Sequence, residues 1–470
     1  MMQPITLGVA RFLVRSGASG LALAGALAGA PVLAQTAEAP AAAASASDDI
    51  IVTAQRRSER LESVPMSVSA VSPDRIRAAG VANVRDLSGV VPGFQLAASG
   101  VFPQPAIRGI SAAVSNFFDN NVAVYVDGLY QASPLILNLD LPNVAGIEVL
   151  KGPQGTLYGR NATGGAVLLN TLDPTQDLHL KAELSYGRFG DMRASGYVSG
   201  GLSDRISLGL AGNIRHSEGY YKYGSRTTPG AIAGNAAPID QTGLRAKLKV
   251  LVTDDLTATL TASNTYISDT RTNVYTPLEN VSARLALIPA YATTPTVPQV
   301  YAADPGNAGV SKQSEFGLKL SLHTGIGTLQ SITGYTVTNS RSLSDFDGTY
   351  APGTYLALDP VKNYTFQQSL DYNIDAIKDV NLVIGAMYVD GILSGFQQSF
   401  AGSTANPGTS PLSLATDYSL LQTTVWRNHK KAWAGYVDAT WNVMDHVYLN
   451  LGGRYSSEEL SAEGYSTSSL

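Results

Sequence analysis

Leu244-Arg245-Ala246-Lys247-Leu248-Lys249-Val250-Leu251-Val252-Thr253-Asp254-Asp255-Leu256-Thr257-Ala258-Thr259-Leu260-Thr261-Ala262-Ser263 is the stretch whose reading decides the fold class. Leu244, Ala246, Leu248, Val250 and Val252 alternate with Arg245, Lys247 and Lys249. Past Asp254-Asp255, Leu256, Ala258, Leu260 and Ala262 alternate with three threonines and Ser263. A period of two puts successive side chains on opposite faces of a strand. The stretch therefore predicts two strands joined by a tight turn, with one apolar face and one face of charges and hydroxyls.

The pattern extends in both directions. Phe316, Leu318, Leu320 and Leu322 alternate with Gly317, Lys319, Ser321 and His323, and Val447, Leu449 and Leu451 alternate with Tyr448, Asn450 and Gly452. Segments of this kind begin at Leu178 and predict about eleven strands up to Leu460. A soluble sandwich alternates in the same way. Two features favour a transmembrane barrel instead. Aromatic residues (Tyr186, Tyr335, Trp441 and Tyr455) stand at or near the ends of the apolar rows, where an interfacial girdle lies. Connections are also unequal: Ser203-Asp204 and Asp254-Asp255 are tight, whereas 270–312 and 401–424 are long and polar. The sequence ends in polar residues just after a strand. Two unpaired edges in lipid are costly, so the barrel is expected to continue past Leu470.

Composition narrows the function classes. Charged residues make up 15% of the 470, against about 25% for a soluble domain. The chain has 46 Gly, 23 Tyr and no Cys, which suits a large, turn-rich β-protein and excludes disulfide frameworks and Cys-ligated metal sites. The five His, at 179, 216, 323, 429 and 446, show no ligand spacing, so no metal site is expected. Net charge is −5 with scattered Lys and Arg, which gives no nucleic-acid footprint. No Gly-x-Ser-x-Gly elbow or other nucleophile motif appears, and the chain is not expected to be an enzyme.

Before the alternating region the texture differs. Arg11 and Arg15 followed by an apolar Leu21–Leu33 read as a signal peptide over residues 1–34, cleaved after Ala34. Residues 35–57 are Ala-rich and read as a flexible tether. Within it, Ile50, Ile51, Val52, Thr53 and Ala54 form a β-branched run suited to adding a strand to a partner's sheet edge. Residues 58–175 read as a compact α+β domain. Met66 to Val71 is a strand, and Ser72-Pro73-Asp74 starts a helix through a cap, a first-turn proline and a favourable acid. Asn83 caps a second helix that Pro92-Gly93 stops. Val122 to Val126 is a strand leading into an Asp127-Gly128 hairpin, and strands follow at Ile147–Leu150 and Gly165–Thr171. Residues 176–470 are the partial barrel.

Four motifs carry a family resemblance. They are Ile50 to Ala54; Pro105-Ala106-Ile107-Arg108-Gly109-Ile110; Tyr125-Val126-Asp127-Gly128; and the run from Ile147-Glu148-Val149-Leu150-Lys151-Gly152-Pro153-Gln154-Gly155 through Gly159-Arg160-Asn161 to Gly164-Gly165-Ala166-Val167. In order and spacing this set resembles the TonB-dependent outer-membrane receptors. The resemblance implies an α+β plug domain threaded into an antiparallel β-barrel of about 22 strands, of which about half are present. It implies that Ile50 to Ala54 is the TonB box, and that Arg108 and Lys151 are plug partners for acidic barrel residues. Solvation of those two cations in a wet lumen is the competing reading.

Gly152, Gly155, Gly159, Gly164 and Gly165 let the backbone turn tightly in a crowded lumen. No Lys-Ser/Thr follows them, so they are not a phosphate loop. Phe94, Phe102, Phe117 and Phe118 are candidate ligand contacts at the plug apices, packing against the barrel wall being the alternative. By resemblance the protein is an outer-membrane importer of a Gram-negative bacterium. It would be driven through TonB and its inner-membrane energising complex, hold no cofactor of its own, and take up a scarce ligand, foremost a ferric siderophore. A passive porin-like channel and a truncated, non-transporting fragment are the alternative readings.

Overall fold

The computed structural model describes residues 51–470 apart from 58, 82, 100–101, 112–120, 134–136, 138–142, 220, 225–231, 237, 270–299, 302–307, 346–353, 403–417, 445–446 and 469–470. The expected signal peptide, most of the tether, Ile50, Phe117 and Phe118 lie outside the described residues.

The N-terminal part is built on a five-stranded sheet. Its spatial order is Val68–Val71, Val144–Lys151, Gly165–Thr171, Val122–Val126, Leu129–Tyr130. Val122–Val126 runs parallel to Gly165–Thr171, and the other pairs are antiparallel. Three of these strands are continuous Val/Ile/Leu-rich runs, as strands covered on both faces should be. Helix Pro73–Ala78 starts where expected: Ser72 Oγ accepts from Arg75 N at 3.3 Å and Pro73 occupies the first turn. The second expected helix is a 3-10 segment, Val84–Gly89, closed by a reciprocal capping box between Asn83 and Asp86. Val84, Leu87, Val91, Phe94 and Ile107 pack with Ile147, Val149 and Val167 into one core.

The hairpin at Asp127-Gly128 is confirmed by positive φ at both residues, +50° and +85°. Gly165 enters its strand at φ +144°, and a Cβ there would collide with the Leu150 carbonyl oxygen. A side chain at this position would therefore separate the two strands that carry the signature motif.

After Asp173-Pro174 the chain forms an eleven-stranded antiparallel sheet whose spatial order is its sequence order, from His179–Tyr186 to Val447–Ser468. The hairpin that opened the sequence reading is Ile239–Leu251 paired with Leu256–Asp269, with Leu248 opposite Leu260 and Leu260 opposite Leu318 on the next strand. Connections alternate as expected. Those after Ser203, Leu251, Thr324, Ile374 and Met444 are short, and those after Ser217, Asp269, Asp345 and Gly402 are long.

This sheet is inside-out relative to a soluble protein. Phe316 is 59% exposed while its neighbour Glu315 is 5% exposed; Leu370 is 45% exposed and Asp371 1%; Val437 is 43% exposed and Asp438 6%. Leu180, Leu184, Leu210, Ile214, Leu244 and Leu260 are likewise exposed, while Lys247, Gln313, Thr338 and Gln367 are buried. Apolar residues facing outward and polar residues facing a filled lumen is the arrangement a bilayer stabilises and water does not. Tyr186, Tyr335, Trp441 and Tyr455 are all on the outward face, as a girdle requires. No helix among the described residues is long and apolar enough to cross a membrane. One consequence is measurable: Leu260→Lys should cost the barrel about 2–4 kcal/mol if Leu260 sits at bilayer depth. Urea unfolding in lipid vesicles reads this directly, and a loss below about 0.5 kcal/mol would place Leu260 outside the bilayer.

Candidate functional site: the box dock and the plug–wall contacts

Residues 51–57, expected to belong to the tether, are folded against the plug. Ile51–Val52 pairs antiparallel with Glu59–Arg60, Ile51 opposite Arg60 and Val52 opposite Glu59. Val52 and Ala54 are fully buried beside Tyr125, Leu150, Leu157, Tyr158 and Leu168. The physical reason is that Val52 and Ala54 sit on one side of an extended strand and find an apolar groove there. Thr53, on the other side, finds a carboxylate.

That carboxylate is Glu148. Thr53 N donates to both of its oxygens, at 2.8 and 2.9 Å, and Thr53 Oγ1 donates to Oε1 at 2.9 Å. Asn170 Nδ2 donates to the same oxygen at 3.0 Å. Burial lifts the Glu148 carboxyl above its ordinary range, against the pull of these donors. Tyr158 closes the other edge, its hydroxyl donating to the carbonyls of Thr53 and Ala54 at 3.2 and 3.1 Å. The backbone groups that a partner strand would use at Thr53 and Ala54 are thus already occupied by plug side chains.

Two residues further on, Arg56 crosses from plug to wall. It sits in the left-handed region, φ +57°, with its N–H bonded to Thr53 O at 2.9 Å. Its Nε donates to Leu157 O at 2.9 Å and its Nη1 to Asp371 Oδ2 at 3.0 Å. The guanidinium also lies 5.2, 5.6 and 6.0 Å from the ring centroids of Tyr158, Tyr436 and Tyr125. Tyr436 donates its hydroxyl to the other oxygen of Asp371, and Asn373 Nδ2 donates to Arg56 O at 3.1 Å. A charge buried this deeply is tolerated because it is paired and surrounded by aromatic faces.

Other contacts stitch the plug hairpin to the wall. Asp127 takes Thr171 N and Oγ1 at 2.8 and 2.6 Å and pairs with Lys247 at 3.1 Å. Tyr130 N and O exchange two hydrogen bonds with the Gln367 amide, at 2.9 and 3.0 Å, so a side chain imitates a neighbouring strand. Gln131 bridges Glu315 at 2.8 Å and Gln313 at 3.0 Å. Arg160 pairs with Glu458 at 2.7 Å. Below the dock, toward the short-turn end, lies a cavity of about 1130 Å³ that Thr53, Arg56, Lys249, Lys319, His323 and Asn373 help to line.

The residues expected from the sequence stand as follows. Arg108 donates to Ser67 within the plug at 3.0 Å, and Lys151 stands beside Arg108 with its pKa lowered by burial and by that like charge. Among the described residues, Arg56, Asp127, Arg160 and Asp173 make ion pairs from plug to wall. Phe94 is buried in the plug core, the packing alternative. Phe102 pairs with Ser99 in a two-stranded ribbon, while Phe117 and Phe118 lie outside the described residues. Of the five glycines, Gly152, Gly159 and Gly165 have positive φ, Gly155 opens the helical turn Gly155–Tyr158, and Gly164 packs on Ile110. At Gly159 a Cβ would lie 2.6 Å from the Arg454 guanidinium, so this glycine also serves close approach to the wall.

Residues 60–166 match the family model described as TonB-dependent Receptor Plug Domain. The chain carries the plug domain of the TonB-dependent receptors, with an inside-out sheet wrapped on it. It is 35% identical over 161 residues to the pesticin receptor of Yersinia pestis, a match covering 34% of this chain and 21% of that receptor. It is 31% identical over 166 residues to the ferrioxamine B receptor of Salmonella typhimurium, 33% of this chain and 23% of that one. In fold it is similar to the ferric yersiniabactin uptake receptor FyuA from Yersinia pestis, with a TM-score of 0.70, 18% identity, and 86% of this chain and 58% of that chain covered. The ferripyoverdine receptor of the outer membrane of Pseudomonas aeruginosa gives 0.67 at 14% identity, covering 89% and 56%. The chain thus spans under two thirds of the relatives it matches. The matched plug domain contains Glu148 and Tyr158, so the box dock is built by the part of the chain whose family is most strongly marked.

Proposed function

We propose that the protein is an outer-membrane receptor that imports a scarce, iron-bearing ligand, foremost a ferric siderophore, using force delivered through TonB. The observation that carries this reading is the docked segment at Ile51 to Ala54. It is a short β-branched strand whose backbone groups are held by Glu148 and Tyr158, side chains that a stronger edge-to-edge pairing can displace. It is followed two residues later by the Arg56 bolt to the wall. Ligand binding at the long-loop end shifts the plug toward a state in which this strand is free. TonB then pairs with it, and pulling on it loads Arg56 next. The work is binding and a population shift, with no covalent step. The names of the relatives (receptors for ferrioxamine B, ferric yersiniabactin and ferripyoverdine) support an iron-chelate ligand. A passive porin would have no use for a plug bonded to the wall at Arg56, Asp127, Gln131 and Arg160.

Deleting residues 50–54 from the full-length receptor tests the reading. Growth on ferric siderophores under iron limitation should be lost, while binding of the same chelates to whole cells stays unchanged. Unimpaired growth of the deletion strain would refute force coupling through this segment.

A further inference from the structure

The cycle proposed above opens the dock and contains no step that closes it again. The wall supplies one. Asp371, Gly385, Tyr436 and Arg454 are successive register partners on the adjacent strands Thr354–Ile374, Val380–Gly402, Tyr418–Met444 and Val447–Ser468. They form one row across the inner face of the sheet.

The glycine is the unusual member of this row. Asp371 and Tyr436 are two strands apart, about 10 Å between backbones. The Tyr436 hydroxyl nevertheless donates to Asp371 Oδ1. The ring spans the gap by lying flat over the strand between them, in the space a side chain at 385 would fill. A Cβ on Gly385 would collide with Cζ, Cε2 and Oη of Tyr436. Gly385 is therefore a positioning residue that acts through Tyr436. Next in the row, Arg454 lies 5.4 Å from the same ring centroid and donates to Met387 Sδ at 2.9 Å. It also donates to Thr156 O of the plug at 3.2 Å. Among the described residues Arg454 makes no bond to Asp371.

The acid, its hydroxyl donor and the aromatic surface are thus held by wall groups, and none of these contacts needs Arg56. What Arg56 adds is a planar cation. Its Nη1 donates to Asp371 Oδ2 at 3.0 Å, and its guanidinium lies 5.6 Å from the Tyr436 centroid. Drawing Arg56 out leaves a buried carboxylate whose Oδ2 has lost its donor, beside an open aromatic face. Such a site is costly to leave empty and attracts a planar cation. A lysine fits it poorly, since an ammonium has neither the fork nor the flat face. Arg56 also lines the cavity of about 1130 Å³ below the dock, so the vacated site opens into that cavity. We propose that this row is a preassembled guanidinium socket, kept by the wall while the box is out, which recaptures Arg56 and so redocks residues 51–57 once TonB lets go. The proposal rests on the force-coupling reading only for what empties the socket.

The test empties the socket by mutation and offers the missing group back. The full-length Arg56→Ala receptor in neutral detergent is titrated with urea, and a fluorophore on a single cysteine introduced into the plug reports plug release. Methylguanidinium should restore retention of the plug. At ten times its dissociation constant it should shift the release equilibrium about tenfold. Methylammonium at the same concentration should shift it little, and the receptor with Arg56 in place should respond to neither. Adding Gly385→Ala to Arg56→Ala should abolish the response, because Tyr436 is lifted off Asp371. Equal shifts from the two cations would mean a bare charge site and would overturn the socket. No shift from methylguanidinium, with normal heat-modifiable gel mobility, would mean that wall groups close over Asp371, and would overturn preassembly. A response that survives Gly385→Ala would overturn the role of the glycine. A second variant needs no rescue: Arg56→Lys keeps the charge and should still favour release about tenfold over Arg56. Release unchanged by the lysine would overturn recognition of a planar group. No TonB is present in these measurements, so they leave force coupling to be decided by the deletion of residues 50–54.

Discussion

Arg56→Ala loosens the plug from the barrel wall by about 3–5 kcal/mol, the usual cost of stripping one partner from a buried ion pair. The side chain of Asp371 is 1% exposed. Without the guanidinium it keeps the Tyr436 hydroxyl and loses its compensating charge. The three tyrosine rings around Arg56 lose a cation as well, and Leu157 O loses a donor. Because residues 1–470 contain no Cys, a single cysteine introduced on the plug can carry a fluorophore, and urea titration then follows plug release alone. Pairing Arg56→Ala with Asp371→Asn should recover part of the loss, since no uncompensated charge then remains. A shift worth less than about 1 kcal/mol would show that Arg56 is an ordinary surface-type pair and no bolt.

Glu148→Ala should free the box without unfolding the plug. The carboxylate accepts from Thr53 N and from Thr53 Oγ1, and hydrogen bonds to a charged group are worth about 1.5–3 kcal/mol each. Losing about 3 kcal/mol raises the open population of residues 51–54 about 100-fold. Hydrogen exchange at the amides of Val52, Thr53 and Ala54 reports this population directly, while amides of Val122–Val126 serve as the internal reference. Glu148→Gln should have a much smaller effect, because its amide oxygen still accepts from Thr53 N. Exchange that rises equally across plug and box would mean that Glu148 holds the fold and not the dock.

The two variants separate the steps of the proposed cycle. Glu148 acts within the plug, between residues 95 apart in sequence, and Arg56 acts between plug and wall, across 315 residues. A pull on the box reaches Glu148 first and Arg56 second, so the chain order sets the order of rupture.

Much of the architecture is written locally. Alternation of period two over Leu244–Ser263 is a property of neighbouring residues, and a strand is the one element that turns it into two faces. The turn at Asp127-Gly128, the cap at Ser72 and the glycine at Gly165 are local in the same sense. Each depends on what one backbone position tolerates. The alternation does not say which face is wet. The sequence alone leaves a sandwich and a barrel open, and the girdle aromatics and unequal loops incline toward the barrel. What settles it is the combination of exposed Phe316 and Leu370 with buried Glu315 and Asp371.

The site is the reverse case. Ile51 to Ala54 could be picked out as an unusual short strand, yet read as a free tether, because its groove is made by Leu150, Leu157, Tyr158 and Leu168 far downstream. Glu148 lies inside the most recognisable motif and Arg56 just after the box. Neither residue type carries a signal of its own, since a lone acid or arginine reads as solvated until its partner is known. Arg108 and Lys151 are expected plug partners by resemblance alone, and among the described residues Arg108 donates to Ser67. By itself the sequence determined the barrel strands and their turns, which follow from the near-neighbour periodicity of side chains. Only the tertiary structure decided which charges are paired, because an ion pair's energy depends on burial and distance, and the chain brings Arg56 to Asp371 only once the plug sits inside the wall.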